Sequence, residues 1–295
     1  MAQSARLAVL EFSGEQGREF SSVLRDAAKS ADGVELLDDG LVSAAASGVG
    51  YAGGLNLSRD EASALGRSLG CEFFVLGKAL VVRRIVAVGS EQFYFEALAG
   101  LFLVEASSGK LVLFSFESAK AQTETDAKTQ LKETLKHVWQ RYADAINSAR
   151  KQRQTAIESL QPLPPAIEVL TDDLVATGVE QPIFYQRIKP DYTEQADLAN
   201  IIATVELEAV FRDDGTIGEV EVVRWAGFGL DDAAVATVKK LRFKPAERSG
   251  KKLTLKGLVR YNFRRPQSQA EKQEETERLK RSLQKIKQNV QKPPK

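Results

Sequence analysis

Three glycines, Gly48, Gly50 and Gly53, have the spacing G-x-G-x-x-G. In dinucleotide-binding proteins this spacing follows a buried strand and opens a helix, whose first backbone amides bind a pyrophosphate. Here the preceding segment, LVSAAAS, has the composition of a helix or coil. The next helix signal comes later, at Ser58 with Glu61 three positions on, which is a capping box. We interpret the glycine segment as a loop and predict no cofactor, with a nucleotide-dependent enzyme as a second alternative.

Two residue types that carry much enzyme and metal chemistry occur once each, as Cys71 and His137. Neither an intramolecular disulfide nor a zinc site of Cys and His ligands can be built from them. His137 lies in a predicted helix without an identifiable nucleophile, and Cys71 opens a predicted buried strand. The pairs Asp213–Asp214 and Asp231–Asp232 are explained by a turn and by charge at a helix start. We predict no catalytic residues and no metal site, and therefore a protein that is not an enzyme.

The composition excludes some partners and leaves the compartment open. The 41 basic and 40 acidic residues nearly cancel, so we expect no nucleic-acid binding. No apolar run approaches the ~20 residues that span a bilayer. The chain enters a strand almost at once, which predicts a cytoplasmic protein if the sequence is complete. The small residues AQS before that strand are typical of a cleaved signal site, and we therefore predict a periplasmic location if a leader or anchor precedes them.

The first predicted domain covers residues 1–154. An apolar strand, an amphipathic helix, a short strand and the capped helix come first. Three long β-rich segments with Gly-Lys and Ser-Gly turn signals follow, and these predict an antiparallel meander. Apolar residues at three- and four-residue steps then predict a closing helix from about Glu124 to Gln154. The order indicates a compact α/β layer domain.

Three blocks of this domain, Leu7–Gly14, Leu57–Ala79 and Leu103–Val112, resemble the α/β domain shared by the TolB N-terminal region and CsgG-like outer-membrane assembly proteins. In the second block, helix, glycine stop and apolar strand follow in the same order as in that family. The resemblance implies a fold and no reaction. It also gives the first alternative function, an outer-membrane secretion or assembly component of the CsgG-like type.

Two segments have no predicted core of their own. Residues 155–187 contain Pro162, Pro164, Pro165 and Pro182, which favour extended backbone, and we predict a semi-rigid linker. Residues 267–295 are highly charged. A thin apolar stripe there predicts a marginally stable helical tail; its residues are Leu279, Leu283, Ile286 and Val290.

The second predicted domain covers residues 188–266. Two alternating strands flank Asp213-Asp214-Gly215, a hairpin signal, and a helix and a final strand from Leu253 follow. The order β-β-α-β predicts a small α+β domain with one helix on its sheet. If the last strand lies at an edge, its unpaired backbone groups can add an extended peptide.

This second domain closely resembles the C-terminal domain of TonB-type energy transducers. The matching blocks are Lys189–Tyr192, Val205–Arg224, Gly227–Ala246 and Ser249–Phe263. One departure is that Tyr192 is followed by Thr193, where such domains often have Tyr-Pro. The resemblance implies that a sheet edge receives a short segment of an outer-membrane transporter. The predicted partner-binding residues are Leu253, Leu255, Lys256, Val259, Arg260, Tyr261, Phe263 and Arg264.

A dense set of lysines forms a second candidate surface, for peptidoglycan or an acidic peptide, with a plain solvated surface as the alternative. Its members are Lys239, Lys240, Lys244, Lys251 and Lys252. Taken together, the sequence predicts a non-enzymatic, two-domain adaptor of the cell envelope that binds a protein partner by strand addition. The resemblance links it to energy transduction or to outer-membrane transport.

Overall fold

The computed structural model describes residues 4–31, 33–85, 92–158 and 167–265. The predicted helical tail, 267–295, lies outside the described residues. The elements in chain order are β1 (Ala5–Val9), α1 (Gly17–Lys29), β2 (Val34–Leu36), α2 (Asp39–Gly48), α3 (Arg59–Leu69), β3 (Phe73–Ile85), β4 (Phe93–Glu105), β5 (Leu111–Ala121), α4 (Glu124–Glu158), β6 (Glu168–Val169), α5 (Asp172–Ala176), β7 (Ile183–Phe184), α6 (Glu194–Leu198), β8 (Ala203–Phe211), β9 (Ile217–Arg224), α7 (Leu230–Val238), β10 (Phe243–Lys244), β11 (Ala246–Arg248), β12 (Lys251–Leu253) and β13 (Leu255–Phe263).

The N-terminal unit, β1 to α4, is built on a sheet with the strand order β2-β1-β3-β4-β5. β1 is parallel to β2 and β3, and β3, β4 and β5 form an antiparallel meander. Alternate residues of β3 pack on opposite faces. Phe73 and Val75 join the cluster with α1 and α4, and Phe74 and Leu76 join the cluster with α3 and the C-terminal unit. The predicted α/β layer with a meander and a closing helix is confirmed.

The glycine segment has the geometry of a connection. Helix α2, not a strand, precedes it and ends at Gly48. Gly50 and Gly53 take positive φ values of 73° and 82°, and the next helix begins only after Ser58. Ser58 and Glu61 form the predicted capping box. Because no strand enters this loop and no helix begins at its third glycine, the segment lacks the arrangement that holds a pyrophosphate.

The C-terminal unit, β6 to β13, contains a sheet with the strand order β6-β13-β8-β9. Asp213 to Gly215 form the turn between β8 and β9, where Gly215 has a φ of 83° and its N–H bonds to the carbonyl of Arg212. Helix α7 packs against β8, β9 and β13 on one face. The predicted small α+β fold, with two strands, a helix and a final strand, is confirmed.

Part of the predicted linker belongs to this C-terminal unit. β6 pairs in parallel with the start of β13, and β7 pairs with β10. The N–H of Tyr185 donates to the carbonyl of Arg242, 3.0 Å away, just beyond this pair. An extended, proline-containing segment is suited to the edges of sheets, since an edge strand can lack some donors. The chain is therefore integrated into the C-terminal unit from Ile167 onward.

The two units share one core, in which Phe228 is the central contact. Its side chain is 1% exposed, and its ring centroid lies 5.0 Å from that of Phe114 and 5.8 Å from that of Phe116. The ring also fills the space above Gly100, where a Cβ would lie 2.5 Å from the Phe228 Cζ atom. Phe228 has a positive φ of 53°, which costs a non-glycine residue about 1 kcal/mol or more. Burial of its ring between the units offsets that strain.

Asn56, which lies just after the glycine segment, connects both units by hydrogen bonds. Its Oδ1 accepts from the N–H of Thr204 at 2.9 Å. Its Nδ2 donates to the carbonyls of Thr204 at 2.7 Å and Trp225 at 2.6 Å. The N–H of Trp225 donates in turn to the carbonyl of Leu57. The connection that follows the glycines thereby provides hydrogen-bond partners for the backbone groups at the ends of β8 and β9.

Asp231 holds the loop that carries Phe228. Its carboxylate accepts the N–H groups of Ala226 at 2.8 Å and Gly227 at 2.9 Å. Burial raises the pKa of Asp231 to about 6. Because this value is above the ordinary one, the stability that the group contributes is full at low pH and is lost as the pH rises through 6. The role goes beyond the helix-start charge that the sequence predicts.

An ion-pair cluster between the units gives a test of their docking. Glu221 of β9 lies 2.7 Å from Arg59 and 2.9 Å from Lys110, and these cations lower its pKa from 4.5 to about 2. We therefore expect Glu221→Gln to destabilise the protein near neutral pH by about 1–2 kcal/mol, after allowance for solvent screening. That difference should shrink as the pH falls through 4.5 and vanish near pH 2. Urea unfolding of both proteins across this range measures it.

The matched control is Glu219→Gln, an exposed position on the same strand. We expect this variant to match the unmodified protein within about 0.5 kcal/mol at every pH. An undiminished effect of Glu221→Gln at the lowest pH would show that the charge of Glu221 does not contribute to docking.

Candidate partner-binding edge of the C-terminal sheet

The predicted edge residues do not all lie on one strand. Leu253 ends β12, which folds back on β11 through a turn at Ser249 and Gly250, both with positive φ values. Thr254 then breaks the strand, because its hydroxyl accepts the N–H of Asp213 and donates to the Asp213 carboxylate. The prediction of a single strand from Leu253 is therefore wrong, and the edge strand β13 begins at Leu255.

Strand β13 divides its side chains between two faces. Leu255 and Phe263 are 1% and 5% exposed, so they anchor the strand in the core. Val259 and Tyr261 lie on this same helix-facing side and are half-buried. Burial raises the pKa of Tyr261. On this face the strand offers a partner two half-buried side chains.

The opposite face of β13 carries charges that are already paired. Lys256 lies 2.5 Å from Glu208, and Arg260 lies 2.6 Å from Glu206, both carboxylates of β8. Arg264, which the sequence also assigns to the site, is exposed just after the strand. Lys256 and Arg260 therefore tie β13 to β8 through ion pairs, and their part in partner binding stays a prediction.

The backbone of β13 has an open side beyond its first two residues. One side pairs with β8 along the whole strand, and the other pairs with β6 only at Leu255 and Lys256. The carbonyl of Lys256 accepts from the N–H of Leu170 at 2.7 Å, so the peptide groups of Lys256 point outward. Within the described ranges, no strand pairs with this side after Lys256.

The outward orientation of Lys256 identifies the three later residues of β13 whose backbone N–H and C=O groups are unpaired within the described residues. The N–H and C=O of one residue point to the same side of a strand, and the side alternates at each residue. Since Lys256 points outward, Leu258, Arg260 and Asn262 also do. The sequence does not indicate Leu258 or Asn262 as site residues, because the outward set depends on which residue of β13 bonds to β6.

A groove of about 820 Å³ runs beside this open side. One wall is β13 from Gly257 to Tyr261, and the other is the segment Gln181–Lys189, with Leu170, Phe211 and Leu241 also lining it. Leu258 at the mouth is 57% exposed. An added strand would bond to β13 and place every second side chain in the groove.

The predicted lysine surface is spread over several elements. Lys239 and Lys240 are exposed at the end of α7, and Lys251 and Lys252 are exposed on β12. Lys244 of β10 forms an ion pair with Glu247. These positions place no converging set of cations beside the groove.

His137 and Cys71, the two residues considered for enzyme chemistry, lie on a helix surface and in a half-buried position. His137 is exposed on α4. Cys71 is half-buried, and burial raises the pKa of its thiol to about 12, so the thiol is protonated near neutral pH. In the part of the chain that the structure covers, no group of His, Cys, Asp and Glu has the arrangement of a metal site. In the same part, no helix is long and apolar enough to cross a membrane.

The C-terminal unit is a small sheet-and-helix domain with an open edge, and it is joined to an α/β layer unit. Residues 188–264 match the family described as Gram-negative bacterial TonB protein C-terminal. No curated protein matches the chain. The described match begins at Ile188, so the groove wall before that residue lies outside the family region.

Several solved structures are similar to parts of this chain. One is the TonB C-terminal domain of Pseudomonas aeruginosa, which is 19% identical with a TM-score of 0.26; the match covers 30% of this chain and 91% of that one. Lipoprotein GNA1162 from Neisseria meningitidis has 13% identity, a TM-score of 0.34, and coverage of 48% and 99%. The LpoB C-terminal domain from Salmonella enterica has 16% identity, a TM-score of 0.28, and coverage of 42% and 86%. The resemblance of the N-terminal unit to TolB and CsgG-like proteins stays a prediction.

Proposed function

We propose that this protein is a non-enzymatic adaptor of the bacterial cell envelope that binds an extended protein segment along β13. One observation carries the proposal: the outward backbone groups of Leu258 and Arg260 border a groove of about 820 Å³, and those of Asn262 extend the same open edge. Strand addition needs such unpaired groups for affinity and a neighbouring depression for side chains. The family match over residues 188–264 supports the envelope location and the choice of a protein partner.

The open length limits the partner segment. From Leu258 to Asn262 the strand spans about 14–17 Å, which accommodates a segment of about five residues. β6 occupies the edge before this stretch, so the partner strand ends beside Leu170. A link to energy transduction or outer-membrane transport would then depend on which envelope protein supplies the segment.

A substitution at Leu258 tests the edge directly. Its side chain is 57% exposed and its N–H points away from β8, so Leu258→Pro removes an outward donor and keeps the sheet. We expect the variant to lose about tenfold in affinity for a bound peptide, since one hydrogen bond is lost and the ring obstructs the added strand. Leu258→Ala, which keeps the donor, is the control.

The probes are peptides selected from a random nine-residue library on the intact chain, and calorimetry gives their affinities. Amide hydrogen exchange should slow at Leu258, Arg260 and Asn262 when a peptide binds, because their outward N–H groups become bonded. Equal affinity of the Pro and Ala variants, or protection confined to other segments, would contradict strand addition at β13.

A further inference from the structure

The segment from Ile167 to Lys189, which precedes the family region except for its last two residues, is a fixed part of the site. Leu170 and Leu174 pack in a small cluster with Val179, Ala246 and Leu255. Further along, the N–H of Glu180 donates to the carbonyl of Glu247 at 2.8 Å, and the reverse bond measures 3.1 Å. The segment is therefore attached to the C-terminal unit at several points before it reaches the groove.

The end of this segment forms an apolar wall that is already ordered. Phe184 packs edge-on against Phe211, with centroids 5.4 Å apart, and also contacts Phe243. Ile183 and Phe184 are nonetheless 57% and 41% exposed. Exposed apolar side chains beside unpaired backbone favour a partner that buries apolar surface there.

The groove also has a charge preference. Arg187 and Lys189 line it and are exposed, and within the described residues neither has an ion-pair partner. Arg260 lines it as well but is bound to Glu206. No aspartate or glutamate lines the groove in the part of the chain that the structure describes. An acidic partner side chain is therefore favoured, and a basic one is repelled.

We propose that this segment selects the partner strand, and that the selected strand carries a large apolar residue and an acidic residue two positions apart. This inference rests on the proposed function of the β13 edge. Side chains on one face of a strand recur at every second residue. Because the apolar wall and the two free cations line the same groove, both partner side chains must point to the same face. The partner is thus an extended protein segment with an apolar-x-acidic pattern, in either order.

The test repeats the library selection on three forms of the intact chain. Peptides selected by the unmodified protein should be enriched in the apolar-x-acidic pattern. The double variant Arg187→Glu, Lys189→Glu should bind those peptides about tenfold more weakly and should select basic residues at the acidic position. The matched control is Lys151→Glu, which reverses an exposed charge on α4 and should leave affinity unchanged within about twofold.

A further variant separates the apolar part. Ile183→Ser keeps the backbone pairing of β7 and removes an exposed apolar side chain, so it should weaken the selected peptides about threefold to tenfold. Circular dichroism and thermal unfolding of each variant verify that its fold is retained. Random library composition at both positions, or equal affinity of the 187/189 double variant and the unmodified protein, would overturn the inference.

The two proposals fail in different ways. If the selected peptides bind Leu258→Pro more weakly but bind the variants at Ile183, Arg187 and Lys189 with unchanged affinity, strand addition stands and selection by the segment is overturned. Peptides that ignore Leu258→Pro bind elsewhere and would overturn both.

Discussion

Replacing Phe228 by alanine is expected to lower the free energy of unfolding by about 3–5 kcal/mol, since a fully buried aromatic ring is lost and its cavity remains. The ring contacts Phe102, Phe114 and Phe116 of the N-terminal unit, and the positive φ at this position persists in the alanine variant. The loss should appear in urea unfolding followed by fluorescence, because Trp225 lies buried in the same core.

The control for this prediction is Phe184→Ala, in which the replaced ring is 41% exposed. We expect Phe184→Ala to lower the free energy of unfolding by less than half as much as Phe228→Ala does. Gly100→Ala tests the same contact from the other side, because its Cβ would overlap the Phe228 ring. A loss for Phe228→Ala no larger than that for Phe184→Ala would mean that the two units do not share a core in solution.

Replacing Asn56 by alanine is expected to cost about 2–4 kcal/mol, because three partly buried backbone groups lose their partners together. These groups are the N–H and carbonyl of Thr204 and the carbonyl of Trp225. The same urea titration measures the effect. Limited proteolysis should also show faster cleavage between the units, since the amide joins elements from both.

Asn262→Ala is the matched control, since this amide also contacts Thr204 but is exposed and accepts one hydroxyl bond. We expect it to cost less than about 1 kcal/mol. Equal costs at Asn56 and Asn262 would show that the hydrogen bonds of Asn56 do not tie the units together.

Local signals in the sequence predict the elements that carry the site. The turn at Asp213 to Gly215 and the cap at Ser58 depend on neighbours within a few residues, so their residue types suffice. Alternation places Val205 and Leu207 in the core for the same reason. These signals give the small sheet and its helix, and hence an edge where the final strand lies.

The interface and the details of the edge are not predictable in this way. In the sequence, nothing distinguishes Phe228 from other residues of a glycine-rich loop. Its role at the contact between the units depends on Gly100 and Phe114, which are distant in sequence. Asn56 likewise acts on β8 and β9 from another unit. Which residues of β13 have free backbone groups depends on the hydrogen bond from the Leu170 N–H to the Lys256 carbonyl. This bond belongs to a parallel pairing of only two residues, which cannot be recognised from the amino-acid composition.

The shared core has a practical consequence for how fragments of this protein are produced. A fragment cut to the family region, residues 188–264, would retain Trp225 and Phe228, each 1% exposed in the whole chain, but would remove the surface that covers them. It would also remove the strand that occupies the start of the edge, leaving the outward backbone groups of Lys256 newly open to pairing with a second molecule. Affinities measured on such a fragment would include self-association, so the homology boundary is not the boundary at which this chain should be cut.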